Sequence, residues 1–206
     1  MRIYLIRHGE THANVLFNTP DRMMIGALES PLTQLNETGR QQALQTRQYF
    51  EGVHVDQVIS SDLGRTRETS SILFPEHDVQ YTSLLRERSL GSDEGKRTEL
   101  LFLHPEMQQY HVFPETDSLE VCLSKRVPDG ENYLMVMDRC RKVLSQFDFS
   151  DEKTVALVAH FHTIRCMRYV LLNKEPDKEL FNLMIPNAKP ALFEYQNGSF
   201  VEIQLD

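Results

Sequence analysis

The chain has 206 residues, 40% of them hydrophobic and 25% charged, which is typical of one globular domain with a sizeable core. Its formal net charge of −8 argues against a nucleic-acid binder or an anionic-membrane binder, because an acidic surface does not attract polyanions. Three cysteines without CxxC spacing predict neither a disulfide framework nor a zinc site.

The first residues, 1–6, contain an apolar run that is too short for the core of a signal peptide. No apolar run reaches the length of about 18 residues that a transmembrane helix needs. We therefore expect a cytoplasmic protein of one domain, residues 1–206.

The first predicted strand, residues 3–6, is apolar and ends abruptly in Arg7, His8 and Gly9. Ligands of open α/β sheets bind at the carboxyl ends of the strands, and glycine lets the backbone turn there. The sequence therefore predicts a site beside His8. The triplet alone is a weak signal, because a histidine after a strand is often only a hydrogen-bonded turn residue.

A helix is predicted next, with Asn36 as its N-cap and Thr33 as a competing cap. A second strand over residues 56–61 leads into another helix, for which Asp62 or Ser61 is the expected N-cap. Arg65 lies in the first turn of that helix, where it can reach an anion held above the strand ends. The alternative for this arginine is a solvated surface charge.

The second half of the chain repeats this pattern of strand and helix. Residues 79–95 predict a short strand and a charged, glycine-containing turn, and the irregular aromatic segment 98–128 predicts a lid over the substrate. An amphipathic helix is expected from residue 128, followed by a buried strand, 154–159, that ends at His160. Alternating strands and helices predict an α/β three-layer sandwich whose central sheet is mostly parallel, with a closing hairpin near the C-terminus.

The predicted sheet edge collects Arg7, His8, Arg65 and His160, a cluster suited to a tetrahedral dianion. A neutral imidazole is a nucleophile that can take a phosphoryl group on nitrogen, and arginines can neutralise the phosphoryl oxygens without a metal ion. Glu87, in the glycine-flanked turn, is the best carboxyl candidate for the general acid. This role requires that its pKa be raised above the ordinary value of about 4.3.

Five ordered stretches of the chain resemble the histidine phosphatase superfamily, and most closely its phosphoglycerate mutase-like branch. They are residues 7–11 with Asn14, residues 60–66, residues 85–95, residues 128–131, and residues 158–160 with Ile164 and Arg165. The resemblance implies that His8 is the phosphorylated nucleophile, with its other ring nitrogen held by a backbone carbonyl. It also implies that Arg7, Arg65 and His160 clamp the phosphoryl group and that Glu87 donates the proton.

The chain departs from that branch at Phe161, where a glycine usually follows the second histidine. We expect Phe161 to narrow the pocket or to stack on the substrate. In the other branch an aspartate at this position is the proton donor. Because this chain has no aspartate there, the resemblance favours Glu87 as the proton donor. Asn14 is a further expected substrate contact, and Arg88 either reaches the substrate or lies in a surface ion pair.

The favoured interpretation is a metal-independent phosphatase that hydrolyses a small phosphorylated metabolite through a phosphohistidine, with no cofactor. A cofactor-dependent phosphoglycerate mutase is the first alternative, although family mutases are generally longer than this chain. Two others are a non-catalytic phosphate-binding protein on the same fold and a metallohydrolase that uses His8, His160 and His162. The sequence leaves open which phosphoester is the substrate and how many copies assemble.

Overall fold

The structure is a computed structural model that describes residues 1–205. Its sheet has six strands in the order β3-β2-β4-β1-β5-β6. The strands are β1 (Arg2–Arg7), β2 (Gln57–Ser61), β3 (Gln80–Thr82), β4 (Thr154–Ala159), β5 (Pro190–Gln196) and β6 (Ser199–Ile203). The first four are parallel to one another, and β5 runs antiparallel to both β1 and β6. The predicted mostly parallel sheet with a C-terminal hairpin is therefore confirmed.

Nine α-helices surround the sheet in the described residues. They are α1 (His12–Val15), α2 (Glu37–Phe50), α3 (Gly64–Leu73), α4 (Leu100–Leu103), α5 (Pro105–Gln108), α6 (Leu119–Ser124), α7 (Tyr133–Leu144), α8 (Phe161–Leu171) and α9 (Glu179–Asn182). None of the helices in residues 1–205 is both long and apolar enough to cross a membrane.

Two hydrophobic clusters, one on each face of the sheet, make the fold three layers deep. On one face, Leu5 and Leu157 pack with Met137 of α7 and Met167 of α8. The other face carries alternate residues of the same strands, which pack against α2 and α3. Because both faces of β1 and β4 are covered, residues 3–6 of β1 and all of β4 are buried, as their apolar runs indicated.

Two predicted helix starts need correction. Neither Ser61 nor Asp62 caps α3, which begins at Gly64 after Leu63, because both side chains are engaged elsewhere. The Asp62 carboxylate accepts two 2.7 Å hydrogen bonds from Arg86, and the Ser61 hydroxyl lies 2.9 Å from a ring nitrogen of His160. Asn36 does cap α2, as predicted, and accepts a 2.8 Å hydrogen bond from the Gly39 amide.

The helix predicted from residue 128 begins later, at Tyr133, with Asn132 as its N-cap. Residues 128–131 form a turn in which Asp129 has a φ of +59°. The segment 98–128, expected to be irregular, contains the three short helices α4, α5 and α6. This segment lies beside the carboxyl ends of the strands and contributes one wall of the cavity found there.

Candidate active site

A cavity of about 580 Å³ lies where the sequence predicts a site, next to His8. Its volume falls within the range of roughly 300–1,000 Å³ that small-molecule sites occupy. The wall includes Arg7, His8, Arg65 and Glu87 at one end and residues of the 98–128 segment at the other. The structure therefore brings four of the five predicted catalytic residues to one cavity wall.

His8 is held as a neutral imidazole at the end of β1. Its Nδ1 lies 2.7 Å from the Gly9 carbonyl oxygen, which can only accept, so Nδ1 carries the proton and the lone pair is on Nε2. Burial, followed by the charges of Arg65 and Arg7, lowers the pKa of His8 well below its usual value. The side chain is therefore an available nitrogen nucleophile, oriented by a backbone carbonyl as the family resemblance implied.

Arg65 is buried, and three of its donors are directed by the protein. Its Nε donates to Nδ1 of His160 over 3.1 Å, and its Nη2 and Nη1 donate to the carbonyl oxygens of Gly26 (2.9 Å) and Leu28 (3.3 Å). Burial lowers its pKa, while the Glu87 charge raises it. The guanidinium is thus a preorganised cation in the cavity wall.

His160 lies behind the wall, because it is completely buried and does not line the cavity. Since its Nδ1 accepts from Arg65, its Nε2 carries the proton and donates to the Ser61 hydroxyl 2.9 Å away. The rings of His160 and His8 lie 5.3 Å apart. In this arrangement His160 orients Arg65, and its predicted direct contact with the phosphoryl group stays a prediction.

Arg7 and Phe161 form one corner of the cavity. The Arg7 guanidinium lies 4.9 Å from the centre of the Phe161 ring and that of Arg165 lies 4.0 Å from it. Arg7 donates to the Ile185 carbonyl oxygen over 2.8 Å, and burial lowers its pKa to about 10, so it stays charged at neutral pH. Phe161 thus stacks on two cations of the protein and holds Arg7 in this corner, and its predicted stacking on a substrate stays a prediction.

Glu87 is buried opposite, at the N-terminus of α8. Its carboxylate accepts hydrogen bonds from the amides of Arg88 (2.9 Å), His162 (3.1 Å) and Thr163 (3.3 Å). Burial raises the pKa of Glu87, but the charge and hydrogen bond of His162, the charge of His160 and the hydrogen bond from the Arg88 amide together hold it well below its usual range. Glu87 is therefore a carboxylate at neutral pH, and an acid role requires a proton that arrives with, or because of, the substrate.

The two expected polar contacts, Asn14 and Arg88, both line the cavity. Asn14 Oδ1 accepts from the Thr11 amide at 3.1 Å and from Asn187 at 3.3 Å. Arg88 lies over the Tyr133 ring at 5.0 Å and forms no carboxylate ion pair within residues 1–205. The structure thus does not give Arg88 the predicted surface ion pair, and its predicted contact with the substrate stays a prediction.

Sequence reasoning missed Asn187 and assigned His162 a role only as a metal ligand. Asn187 precedes β5 and donates to the His8 carbonyl oxygen over 2.9 Å, a role that no local pattern indicated. His162 lines the cavity and its Nδ1 lies 3.5 Å from a Glu87 oxygen. The only sequence signal for His162 was its position two residues after His160.

Beyond the charged end, the cavity wall is mainly apolar. It includes Phe17, Met23, Leu101, Phe102, Val112, Phe113, Phe181 and Met184. Phe102 and Met184 are 72% and 74% exposed, the largest exposed fractions among the large hydrophobic residues described. The segment 98–128 supplies Phe102, Val112 and Phe113, so it forms the wall where the lid was predicted.

Metal-binding side chains are not grouped in the described part of the chain: no three or more His, Cys, Asp or Glu residues there lie close enough to hold an ion. The alternative ligand set of His8, His160 and His162 is thus not assembled. His8 and His160 make the protein hydrogen bonds described above, and His162 faces Glu87.

Comparison with known proteins places this site in a family. The sequence profile of the Histidine phosphatase superfamily (branch 1) matches residues 3–205. The probable phosphoglycerate mutase GpmB of Escherichia coli O1:K1 / APEC is 30% identical over 201 residues, which are 96% of this chain and 86% of that protein.

Solved structures give the same fold. Rv3214 of Mycobacterium tuberculosis superposes with a TM-score of 0.75 at 26% identity, covering 99% of this chain and 96% of that one. A putative alpha-ribazole-5'-P phosphatase of Escherichia coli K-12 superposes with a TM-score of 0.81 at 20% identity, covering 100% and 96%. The chain, with its α/β three-layer fold, belongs to the histidine phosphatase superfamily, branch 1.

Proposed function

We propose that the protein is a metal-independent phosphatase that hydrolyses a small phosphorylated metabolite through a phosphohistidine on His8. The observation that carries the proposal is the state of His8, whose Nδ1 proton is held by the Gly9 carbonyl while the Nε2 lone pair stays available. Arg7 and Arg65 share the cavity wall with this nucleophile, and Glu87 stands at the same end. Nucleophile, cations and a carboxyl group are the parts that transfer to nitrogen needs.

In the first step, His8 Nε2 forms a bond to phosphorus and the bond between phosphorus and the ester oxygen breaks. The leaving oxygen takes a proton from Glu87, and Arg7 and Arg65 neutralise charge on the phosphoryl oxygens. The dianion of a bound ester raises the pKa of the Glu87 carboxyl, which favours its protonated form. In the second step, water gives a proton to Glu87 and attacks phosphorus, and the bond to Nε2 breaks.

A phosphoglycerate mutase is the alternative that the names of the curated relatives suggest, and a mutase would return the phosphoryl group to a bound intermediate. The first step is common to both reactions. Names of structural neighbours, such as glucosyl-3-phosphoglycerate phosphatase at 24% identity, include hydrolases of phosphate esters. A non-catalytic phosphate binder needs neither an oriented nucleophile nor a buried carboxyl group, so the cavity favours an enzyme.

The test is a rapid-quench experiment with p-nitrophenyl phosphate in the presence of EDTA. Wild type, His8→Ala and the control His54→Ala, whose side chain is 86% exposed, are compared for acid-labile, base-stable protein-bound phosphate. We expect label and steady nitrophenol release in wild type and in the control, and neither in His8→Ala. Label without turnover supports the mutase, and bound phosphate without label supports the non-catalytic binder.

A further inference from the structure

His162 contacts Glu87 through both its backbone and its side chain. Its amide donates to the two carboxylate oxygens over 3.1 and 3.2 Å, and its Nδ1 lies 3.5 Å from Oε2. The latter distance is at the outer limit of a hydrogen bond, and catalytic hydrogen bonds of empty sites often shorten when the substrate binds. The imidazole is thus within one small movement of a proton exchange with Glu87.

The surroundings make His162 a link between Glu87 and the cavity. Its ring lies edge-to-face on Tyr133 of α7, at 5.7 Å, and on Phe161 of α8, at 5.3 Å. The His162 side chain is 26% exposed, whereas that of Glu87 is only 8% exposed. A proton from cavity water therefore reaches the imidazole more readily than it reaches the carboxylate.

The charges around His162 couple its protonation to that of Glu87. Burial and the positive charges of Arg88 and Arg165 lower the pKa of His162, and the Glu87 carboxylate on the opposite side raises it. The charge of His160, when that ring is protonated, also lowers the pKa of Glu87. The Tyr133 ring packs edge-to-face against His162. The carboxylate is therefore what favours a proton on this imidazole, and the two groups titrate as a pair.

We propose that His162 is a positioning residue that acts through Glu87: with the substrate bound, its imidazolium form passes the Nδ1 proton to Glu87, which delivers it to the leaving oxygen. This inference rests on the proposed function. Entry of the substrate dianion favours uptake of one proton from cavity water, so that the His162 ring carries protons on both nitrogens. Its Nδ1 then gives a proton to Glu87 Oε2, and the ring returns to the neutral form with its proton on Nε2. Glu87 passes the proton it received to the leaving oxygen. During hydrolysis of the phosphohistidine, water returns one proton to Glu87 and so to the pair.

The proposal separates esters by their leaving group. p-Nitrophenolate leaves without a proton, whereas the alkoxide of an alkyl phosphate such as glycerol phosphate needs one. In single-turnover experiments we expect His162→Gln to form the phosphoenzyme from the alkyl ester about 100-fold more slowly than wild type, as loss of a general acid does. With p-nitrophenyl phosphate the same substitution should slow phosphoenzyme formation by no more than about 10-fold. His54→Gln is the matched control on an exposed histidine.

The pH dependence of the rate gives a second readout, which would stay unchanged if His162 had only a structural role. As the pH rises, wild type should lose activity on the alkyl ester where the pair loses its proton. In His162→Gln this loss should move to lower pH, because Glu87 alone must then hold the proton. Equal rate losses with both esters, together with an unshifted profile, would overturn the proposal.

A histidine NMR titration tests the pair without turnover. Following the His162 ring in wild type and in Glu87→Gln, we expect the ring to titrate at lower pH in the variant, because the stabilising carboxylate is gone. An unchanged titration of the His162 ring would contradict its coupling to Glu87 and overturn the proposal. If wild type forms no phosphoenzyme, the proposed function itself fails, and this titration alone decides whether His162 and Glu87 share a proton.

Discussion

Acidification should destabilise the protein through its buried neutral histidines, His8 and His160. Burial and neighbouring arginines lower the pKa of both imidazoles well below the usual 6.5. The unfolded chain takes up these protons below pH 6.5 and the folded chain does not, so stability falls as the pH falls through this window. The Glu87 carboxylate, whose pKa is also lowered, contributes to acid destabilisation only below about pH 4.5.

The size of this loss of stability follows from the number of protons that the unfolded chain binds and the folded chain does not. Between pH 7.5 and 5.5, each neutral imidazole with a strongly lowered pKa costs about 1.4 kcal/mol of the free energy of unfolding. His8 and His160 together cost about 2.7 kcal/mol, which for a chain of this size lowers the melting temperature by roughly 5–11 °C. His162, whose pKa is lowered as well, acts in the same direction.

Thermal unfolding followed by circular dichroism, at constant ionic strength in buffers without phosphate, measures this slope. His8→Gln should lose about half of the pH-dependent change, since one of the two imidazoles is gone. His54→Gln, at an exposed position, should keep the whole change. Equal melting temperatures at pH 7.5 and 5.5, or an unchanged slope in the His8→Gln/His160→Gln double variant, would refute the assignment of neutral buried imidazoles.

Three further substitutions test the packing of α2 and two parts of the cavity. Gly39→Ala places a Cβ 2.6 Å from the backbone nitrogen of Glu10, so we expect a loss of about 1–3 kcal/mol in a denaturant titration, and unchanged stability would contradict this packing. Arg65→Lys cannot donate to His160 and to a phosphoryl oxygen with the same fork, so kcat/KM for p-nitrophenyl phosphate should fall about 100-fold; a wild-type rate would exclude Arg65 as a phosphoryl ligand. Phe102→Ala removes a 72% exposed ring, so stability should hold while KM for an aromatic phosphate ester rises roughly 10-fold at constant kcat; an unchanged KM would show that the ester does not touch this wall.

Particular residues show why the element order could be read from the sequence while some boundaries could not. β1 and β4 are buried on both faces, so their uninterrupted apolar runs identify them without any knowledge of neighbours. The start of α3 was wrong because Ser61 and Asp62, good capping residues by type, bind His160 and Arg86 instead. Long-range partners of this kind leave no trace in the local pattern.

The sequence by itself determined the fold class and which residues gather at the charged end of the cavity, because parallel strands carry the residues at their carboxyl ends to one edge of the sheet. Arg7, His8, Arg65 and Glu87 meet there in the structure as predicted. Only the tertiary structure decided that Glu87 rests as a carboxylate beside His162 and that His160 lies behind Arg65. Burial, hydrogen-bond direction and protonation depend on groups far apart in the chain, so they are properties of the assembled site.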